Sequence, residues 1–145
     1  MKDEIFELSC NLDDMTGEEL GFASEVLLNA GALDVYTIPI GMKKNRPGVM
    51  LNVLCRPESR EKMVKLLFLH TTTIGVRETR HDRYILRREE KTRQTPYGPV
   101  RGKAVEGYGV RREKPEYEDL RRIALEQGIS LRQVREMLSG KDEQK

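Results

Sequence analysis

The chain has 145 residues, enough for one domain, or a domain with an appendage, that buries a real core. Hydrophobic residues make up 37% and charged residues 34%, which predicts a modest core under a densely charged surface, and no run approaches the ~18–20 apolar residues of a membrane span. The formal net charge of +2 hides a division: residues 1–42 net −8, residues 43–115 net +11 and residues 116–145 net −1. An acidic first third ahead of a basic middle exceeds what solubility needs. It suits either self-association, as a homo-oligomer, or an anion site beside an acidic, metal-binding edge.

Glu4 to Leu12 reads as a strand, with Ile5, Cys10 and Leu12 among its apolar positions. It stops at Asp13-Asp14-Met15. Thr16-Gly17-Glu18-Glu19 fits a capping box and predicts a helix to about Ala30, with Leu20, Ala23, Leu27 and Ala30 on one face and Gly31 as the stop. Ala32 to Gly41, rich in β-branched and aromatic residues, is the second predicted strand. Met42-Lys43-Lys44-Asn45-Arg46-Pro47-Gly48 then forms a basic tip, and the third strand runs through Val49, Leu51, Val53 and Cys55. Pro57 opens a second predicted helix with Met63, Val64, Leu67 and Phe68 as its buried face. Thr71-Thr72-Thr73-Ile74-Gly75 ends it, and a fourth strand begins near Val76.

This order, β-α-β-β-α-β, is the ferredoxin-like pattern. The predicted fold class is α+β: a ferredoxin-like core over residues 1–82, a β-hairpin arm over 83–113, a C-terminal helical pair over 114–140 and a frayed tail over 141–145. The hairpin pairs Arg83 to Thr95 with Val100 to Tyr108 around a turn punctuated by Pro96, Gly98 and Pro99. Such an arm is either a solvated basic hairpin or a strand pair that meets another subunit. The helices begin after Lys114-Pro115: Glu116 to Gln127, stopped by Gly128, then a short helix capped by Ser130 and Gln133. Two helices around a Gly turn resemble a helix-turn-helix, but a segment netting −1 has little electrostatic affinity for DNA, so packing is the preferred role.

The topology carries a functional expectation. In a ferredoxin-like sheet the end of the first strand, the tip between strands two and three, and the start of strand four lie at one edge. Asp13 and Asp14, Lys43 to Arg46, and Thr71 to Arg77 are therefore expected to converge. Lys43 and Lys44 are point charges, Arg46 a donor fork and Asn45 an amide, a set that suits phosphate or carboxylate oxygens. A solvated hairpin tip would also carry such residues. Asp13 and Asp14, with phosphate oxygens, make a hard oxygen set for magnesium or manganese. They would equally complement the dipole of the following helix. Thr71 to Thr73 can donate hydroxyls to a phosphate, and a β-branched turn into a strand explains them as well. His70 is expected at a helix end and His81 on a solvated strand. Cys10 and Cys55 lack metal-ligand spacing and are expected to be small buried residues in a reducing cytosol. The acidic N-terminus shows no signal peptide, so the expected location is cytoplasmic. No Walker loop, no G-x-G-x-x-G, no C-x-x-C and no nucleophile elbow is present, and no catalytic residue is assigned.

Several motifs in order resemble one family. They are Asn11-Leu12-Asp13-Asp14-Met15, Ala30-Gly31-Ala32-Leu33-Asp34-Val35, Met42 to Gly48, Thr71-Thr72-Thr73-Ile74-Gly75-Val76-Arg77, Thr95 to Arg101, and Pro115-Glu116-Tyr117-Glu118-Asp119. Together they resemble the C-terminal region of the LarC family, the nickel-pincer cofactor nickel-insertion proteins. The resemblance implies a cyclometallase, a nickel-insertion lyase that places nickel into pyridinium-3,5-bisthiocarboxylic acid mononucleotide to make the cofactor of lactate racemase. It implies dependence on CTP with Mn2+ or Mg2+, and nickel as the inserted substrate metal. On this resemblance Asp13 and Asp14 would hold the divalent ion. Lys43, Lys44, Asn45 and Arg46 would grip phosphates, and Thr72, Thr73, Arg77, Arg101 and Glu116 would join the nucleotide site. The family's full-length form has an N-terminal half with a His-rich nickel-storing stretch. The expected partners are therefore that half, nucleotide, the pincer precursor and copies of this chain, with no membrane and no nucleic acid. The chain is expected to be a separately made or trimmed C-terminal part that binds nucleotide without by itself completing insertion. The competing reading is a non-catalytic, oligomeric anion- or nucleotide-sensing regulatory domain. A nucleic-acid binder is a third, and few aromatics interleave with the basic residues to support it.

Overall fold

The computed structural model describes residues 1–139, so the tail expected over 141–145 and the last residue of the helical pair lie outside the described residues. The chain divides into two compact units: Lys2–Tyr84, and Ile85 onward together with Met1.

The first unit contains β1 (Lys2–Leu12), α1 (Gly17–Asn29), β2 (Asp34–Met42), β3 (Arg46–Cys55), α2 (Arg60–His70) and β4 (Arg77–Tyr84). Its four-stranded sheet has the order β2-β3-β1-β4, with every neighbouring pair antiparallel. That is the ferredoxin-like arrangement, and the α+β fold class holds. Alternation along β1 puts Leu8, Cys10 and Leu12 inward, against Leu51, Val53 and Cys55 of β3 and Leu27, Met63 and Leu67 of the helices. Both thiols are fully buried and unpaired in this core. Burial raises the pKa of each, so neither presents a ready thiolate for a soft metal.

The capping box at α1 forms as expected. Glu19 N–H donates to Thr16 Oγ1 at 3.2 Å, and Thr16 N–H donates to Glu19 Oε2 at 2.9 Å. Two readings change at α2. Pro57 opens a 3-10 turn over Pro57–Ser59, and the α-helix begins at Arg60. Phe68 is 47% exposed instead of buried: Met63 and Leu67 fill the core from α2, with Val64 and Leu66 packed partly against it. His81 also differs. Its Nε2 lies 3.0 Å from Glu7 Oε2, while Tyr36 Oη donates to Glu7 Oε1 at 2.6 Å, so the ring joins a polar cluster on the open face of the sheet. The hydrogen bond to Glu7 raises the Tyr36 pKa.

The second unit contains β5 (Arg87–Thr95), β6 (Gly98–Gly107), β7 (Val110–Pro115), α3 (Tyr117–Gln127) and α4 (Leu131–Ser139). Its sheet runs β5-β6-β7. The expected hairpin is thus a three-stranded meander. Arg83 and Tyr84 belong to β4, where they pair with Asp3 and Lys2. The third strand is joined by Tyr108 and Gly109, both at positive φ (50° and 77°), which suits the right-handed twist of a tight hairpin. The two helices pack through Leu120, Ile123, Val134 and Leu138 onto Val100. Gly128, at φ 64°, ends α3, and the Ser130–Gln133 capping box starts α4. Among the described residues no helix is long and apolar enough to cross a membrane.

Gly48 on β3 sits where a Cβ would lie 2.4 Å from Met42 Sδ and 2.9 Å from the Leu12 carbonyl oxygen. The end of β1 and the start of β3 can approach so closely only because Gly48 has no side chain. Gly48→Ala should therefore cost about 1–3 kcal/mol, the range for overpacking a tight contact, and lower the midpoint of urea unfolding. An unchanged midpoint would show that the tip shifts freely.

Candidate functional site

One edge of the first unit collects the residues singled out by topology. β1 ends at Leu12, and its next two residues are Asp13 and Asp14. The β2–β3 connection brings Arg46 to Asp13, with Nη1 to Oδ2 at 3.5 Å. The loop after α2 brings the Thr72 hydroxyl to Asp14 Oδ1 in a short hydrogen bond. Arg77, at the start of β4, donates from Nη2 to Asn11 Oδ1 at 2.9 Å. Segments tens of residues apart in the chain thus meet at the end of one strand.

The tip has a specific backbone. Lys44 and Asn45 both have positive φ, 61° and 56°, and Arg46 N–H bonds back to the Lys43 carbonyl. These are the marks of a type I′ turn. Asn tolerates that conformation through its short polar side chain, whereas Lys normally does not. Glycine would remove that cost, yet the position carries a cation. Lys43, Lys44, Asn45 and Arg46 are all exposed. Lys43 and Lys44 have no ion-pair partner among the described residues.

The threonines have local tasks. Thr71 donates its hydroxyl to the Leu67 carbonyl at 2.6 Å and closes α2. Thr73 donates to the Gly75 carbonyl at 2.7 Å and shapes the turn. Thr72 is the member that reaches a carboxylate at the edge. Asn11, marked in the sequence only as the first residue of the Asn11–Met15 motif, joins the edge. It lies two residues before Asp13, on an exposed β1 position beside Arg77, and strand alternation was the available signal.

Asp13 and Asp14 place two carboxylates, the hard oxygen type, at this edge. Among the described residues no group of three or more His, Cys, Asp or Glu is placed to hold a metal ion. A pair of carboxylates fits magnesium or manganese, which keep waters and take phosphate oxygens for the rest of their shell. It does not fit a site that must supply every ligand from protein.

Arg101 and Glu116 belong to the second unit, where Glu116 N–H donates to the Arg101 carbonyl at 2.8 Å. The Arg101 guanidinium is held by Asp119, with Nε to Oδ2 at 3.0 Å and Nη2 to Oδ1 at 3.1 Å. The Arg101 backbone N–H also donates to Asp119, at 2.7 Å. Asp119 lies 8% exposed at the first turn of α3. The Arg101 side chain, then its backbone N–H, hold the Asp119 pKa down to about 2. Asp119, marked in the sequence only as the last residue of the Pro115–Asp119 motif and as a carboxylate in the first turn of a helix, thus has a structural partner in Arg101.

Fold and edge together define a ferredoxin-like α+β domain whose sheet edge gathers carboxylates, cations and a threonine loop. The nickel insertion protein family model matches residues 1–135. A pyridinium-3,5-bisthiocarboxylic acid mononucleotide nickel insertion protein of Alkaliphilus metalliredigens is 46% identical over 131 residues, covering 90% of this chain and 31% of that protein. The protein of the same name from Acetivibrio thermocellus is 44% identical over 132 residues, covering 91% of this chain and 32% of that protein. The chain thus spans about a third of the length of these relatives. Among solved structures, it matches LarC2, the C-terminal domain of a cyclometallase involved in synthesis of the NPN cofactor of lactate racemase, in its apo form. That match has a TM-score of 0.81 and 40% identity, covering 92% of this chain and 93% of LarC2. A protein from Methanopyrus kandleri AV19 matches with a TM-score of 0.75 and 29% identity, covering 92% of this chain and 85% of that one. The chain belongs to the nickel insertion protein family, the LarC family, and has the fold of the LarC C-terminal domain.

Two outcomes follow from these geometries. Because the folded Asp119 pKa lies below the ordinary carboxylate value of 3.8, its contribution to stability is complete above that value and is lost as pH falls toward about 2. NMR titration should place the Asp119 carboxyl near 2 in the native chain and nearer 3.8 in Arg101→Gln. An unmoved titration would deny the pairing. At the tip, Lys44→Gly should stabilise the fold by about 1 kcal/mol through relief of the left-handed conformation, read as a rise in the thermal midpoint. A fall would mean that the Lys44 side chain makes contacts that outweigh the strain.

Proposed function

We propose that this chain is the CTP- and divalent-metal-binding part of a cyclometallase, an enzyme that inserts nickel into pyridinium-3,5-bisthiocarboxylic acid mononucleotide. Membership of the nickel insertion family supports the role in cofactor synthesis. The observation that carries the assignment within the chain is the meeting of Asp13 and Asp14 with the Lys43–Arg46 tip and Thr72 at one edge. Lys43 and Lys44 neutralise phosphate charge, and Arg46 supplies a fork that can leave Asp13 for a phosphate oxygen. Asn45 offers an amide to phosphate or sugar. Thr72 fixes the Asp14 rotamer, Thr73 sets the loop and Arg77 adds positive charge beside them. Asp13 and Asp14 hold Mn2+ or Mg2+, which supplies charge neutralisation to the phosphates when bound. Arg101 and Glu116, which belong to the second unit, are weaker members of the proposed nucleotide set, with Asp119 already engaging the Arg101 guanidinium.

Nickel is the substrate metal in this reading. The two thiols are buried, and no three-ligand cluster stands among the described residues. The chain's own part is therefore nucleotide binding, with insertion completed by the remainder of a longer protein and by assembly of several copies. The Lys44 backbone supports this over a solubility tip, because a tip selected for solubility alone gains nothing from a lysine in a left-handed conformation.

The test is a calorimetric titration of the chain with CTP, ATP and GTP, with and without Mn2+. CTP should bind most tightly, and only with the metal at full affinity. The double variant Lys43→Glu, Lys44→Glu should lose CTP binding, by at least about 100-fold, while keeping its circular dichroism spectrum. Equal or absent binding of all three nucleotides would overturn the CTP assignment, and unchanged affinity in the variant would remove the tip from the site.

A further inference from the structure

The second unit contains a cavity of about 830 Å³ between its sheet and its helices. This volume lies within the range of small-molecule sites, about 300–1,000 Å³. Its floor is apolar, formed by Val100 and Ala104 of β6, Leu120 of α3 and Leu138 of α4. Nine basic and two acidic residues border the cavity, but strand alternation turns Lys103, Arg112 and Lys114 to the other face of the sheet from Ala104, and Arg101 is held by Asp119. Arg101 has an architectural task, since Asp119 holds it where α3 meets β6, whereas the remaining cations around the apolar floor take no part in packing the two helices.

The pleat decides which cations face the cavity. The register sets Arg93 opposite Val100 and Lys91 opposite Gly102, so both share the helix-facing side of the sheet with Ala104. On β7, Glu113 stands opposite Ala104 on the same side. Glu113 is taken up by Lys91 at 3.8 Å and Arg111 at 3.1 Å. On α4, Arg132 pairs with Glu136 at 3.2 Å. Arg93 and Arg135 are left without a carboxylate among the described residues, and Arg93 is half-buried. A half-buried guanidinium loses hydration without recovering it from a partner, and an anion removes that deficit. The middle strand is small along this face. Gly102 lets β6 approach β7, where a Cβ would meet the Lys114 carbonyl oxygen at 2.9 Å. The trough over Gly102 and Ala104 therefore stays open between longer side chains on either side.

We infer that this cavity of the second unit is a further ligand site and that it takes a small molecule with a flat aromatic ring and at least two anionic groups. The ring would lie on Val100, Ala104 and Leu138, with Arg93 and Arg135 as fork donors to the anionic groups. The choice of occupant rests on the proposed function: the pyridinium mononucleotide in the names of the relatives has this chemistry. The existence of the site rests on the cavity alone.

Nicotinic acid mononucleotide, a flat pyridinium with a carboxylate and a phosphate, is the probe. Calorimetry on the 145-residue chain should show saturable binding without added metal. Arg93→Gln and the exposed Arg135→Gln should each weaken it about ten-fold, the loss typical of one charged hydrogen bond, with thermal melting confirming that both variants fold. The Lys43→Glu, Lys44→Glu variant should bind the probe as the native chain does. Absence of saturable binding up to millimolar probe would overturn the proposal. So would loss of binding in the tip variant with retention in Arg93→Gln and Arg135→Gln. If those arginine variants instead alter the sedimentation coefficient and leave probe affinity unchanged, the face joins copies of the chain and the ligand site is rejected. A native chain that binds this probe but not CTP would sink the edge assignment and leave the cavity site standing.

Discussion

The pairing of β1 with β3 governs the first unit. It runs from Phe6↔Cys55 to Leu12↔Val49 and stops one residue before Asp13. Its register is set by burial. A slip of one residue would turn Leu8, Cys10 and Leu12 out to solvent and bring Glu7, Ser9 and Asn11 into the core. Each buried leucine is worth about 1.5–3 kcal/mol, so such a slip is far outside thermal reach. The location of Asp13 and Asp14 is thereby fixed by hydrophobic residues that touch nothing functional. Arg46 inherits its place from the same strand pair, since it opens β3.

The two units use charge differently. At the sheet edge the contacts are exposed, the Arg46–Asp13 pair is long at 3.5 Å, and each is worth at most about 1 kcal/mol to the fold. The gathering of charge there is poorly accounted for as a source of stability. In the second unit Arg101 and Asp119 form a tight, forked pair at the junction of β6 and α3, with the Arg101 backbone joining in. That pair organises the chain as it leaves the sheet and enters the helix. The family motif Pro115 to Asp119 thus includes a residue with a clear architectural task, and membership of a motif does not by itself make a residue a ligand contact.

Much of the first unit was legible in the sequence because its signals were local and redundant. The capping box at Thr16, alternation in β1 and β3, and the strand–helix order each pointed the same way. The convergence of Asp13, Arg46 and Thr72 followed from topology once the strand order was known. The misses share a physical cause. β7 reads Val-Arg-Arg-Glu-Lys-Pro and is almost wholly exposed, so no hydrophobic period marked it. Its one signal was the Tyr108-Gly109 turn. Phe68 follows a helical apolar period but lies on the shoulder of α2, where the sheet does not reach. His81 acquired its partner from Glu7, 74 residues away in the chain, a contact that only the β1–β4 register reveals.

The Arg46–Asp13 contact also bears on how the edge responds to what reaches it. In the free chain each charge already has a counter-charge. An anion arriving alone must draw Arg46 away and leave Asp13 uncompensated, and a cation arriving alone does the reverse to Arg46. A cation and an anion arriving as a pair replace both partners at once. Under the proposed function the two binding steps would therefore be thermodynamically linked, each raising the affinity of the other by the same factor. A pair of this exposure is worth about 0–1 kcal/mol, which limits that factor to about five-fold from this contact. The edge would act as a weak coincidence detector, favouring a complexed anion over the same anion free.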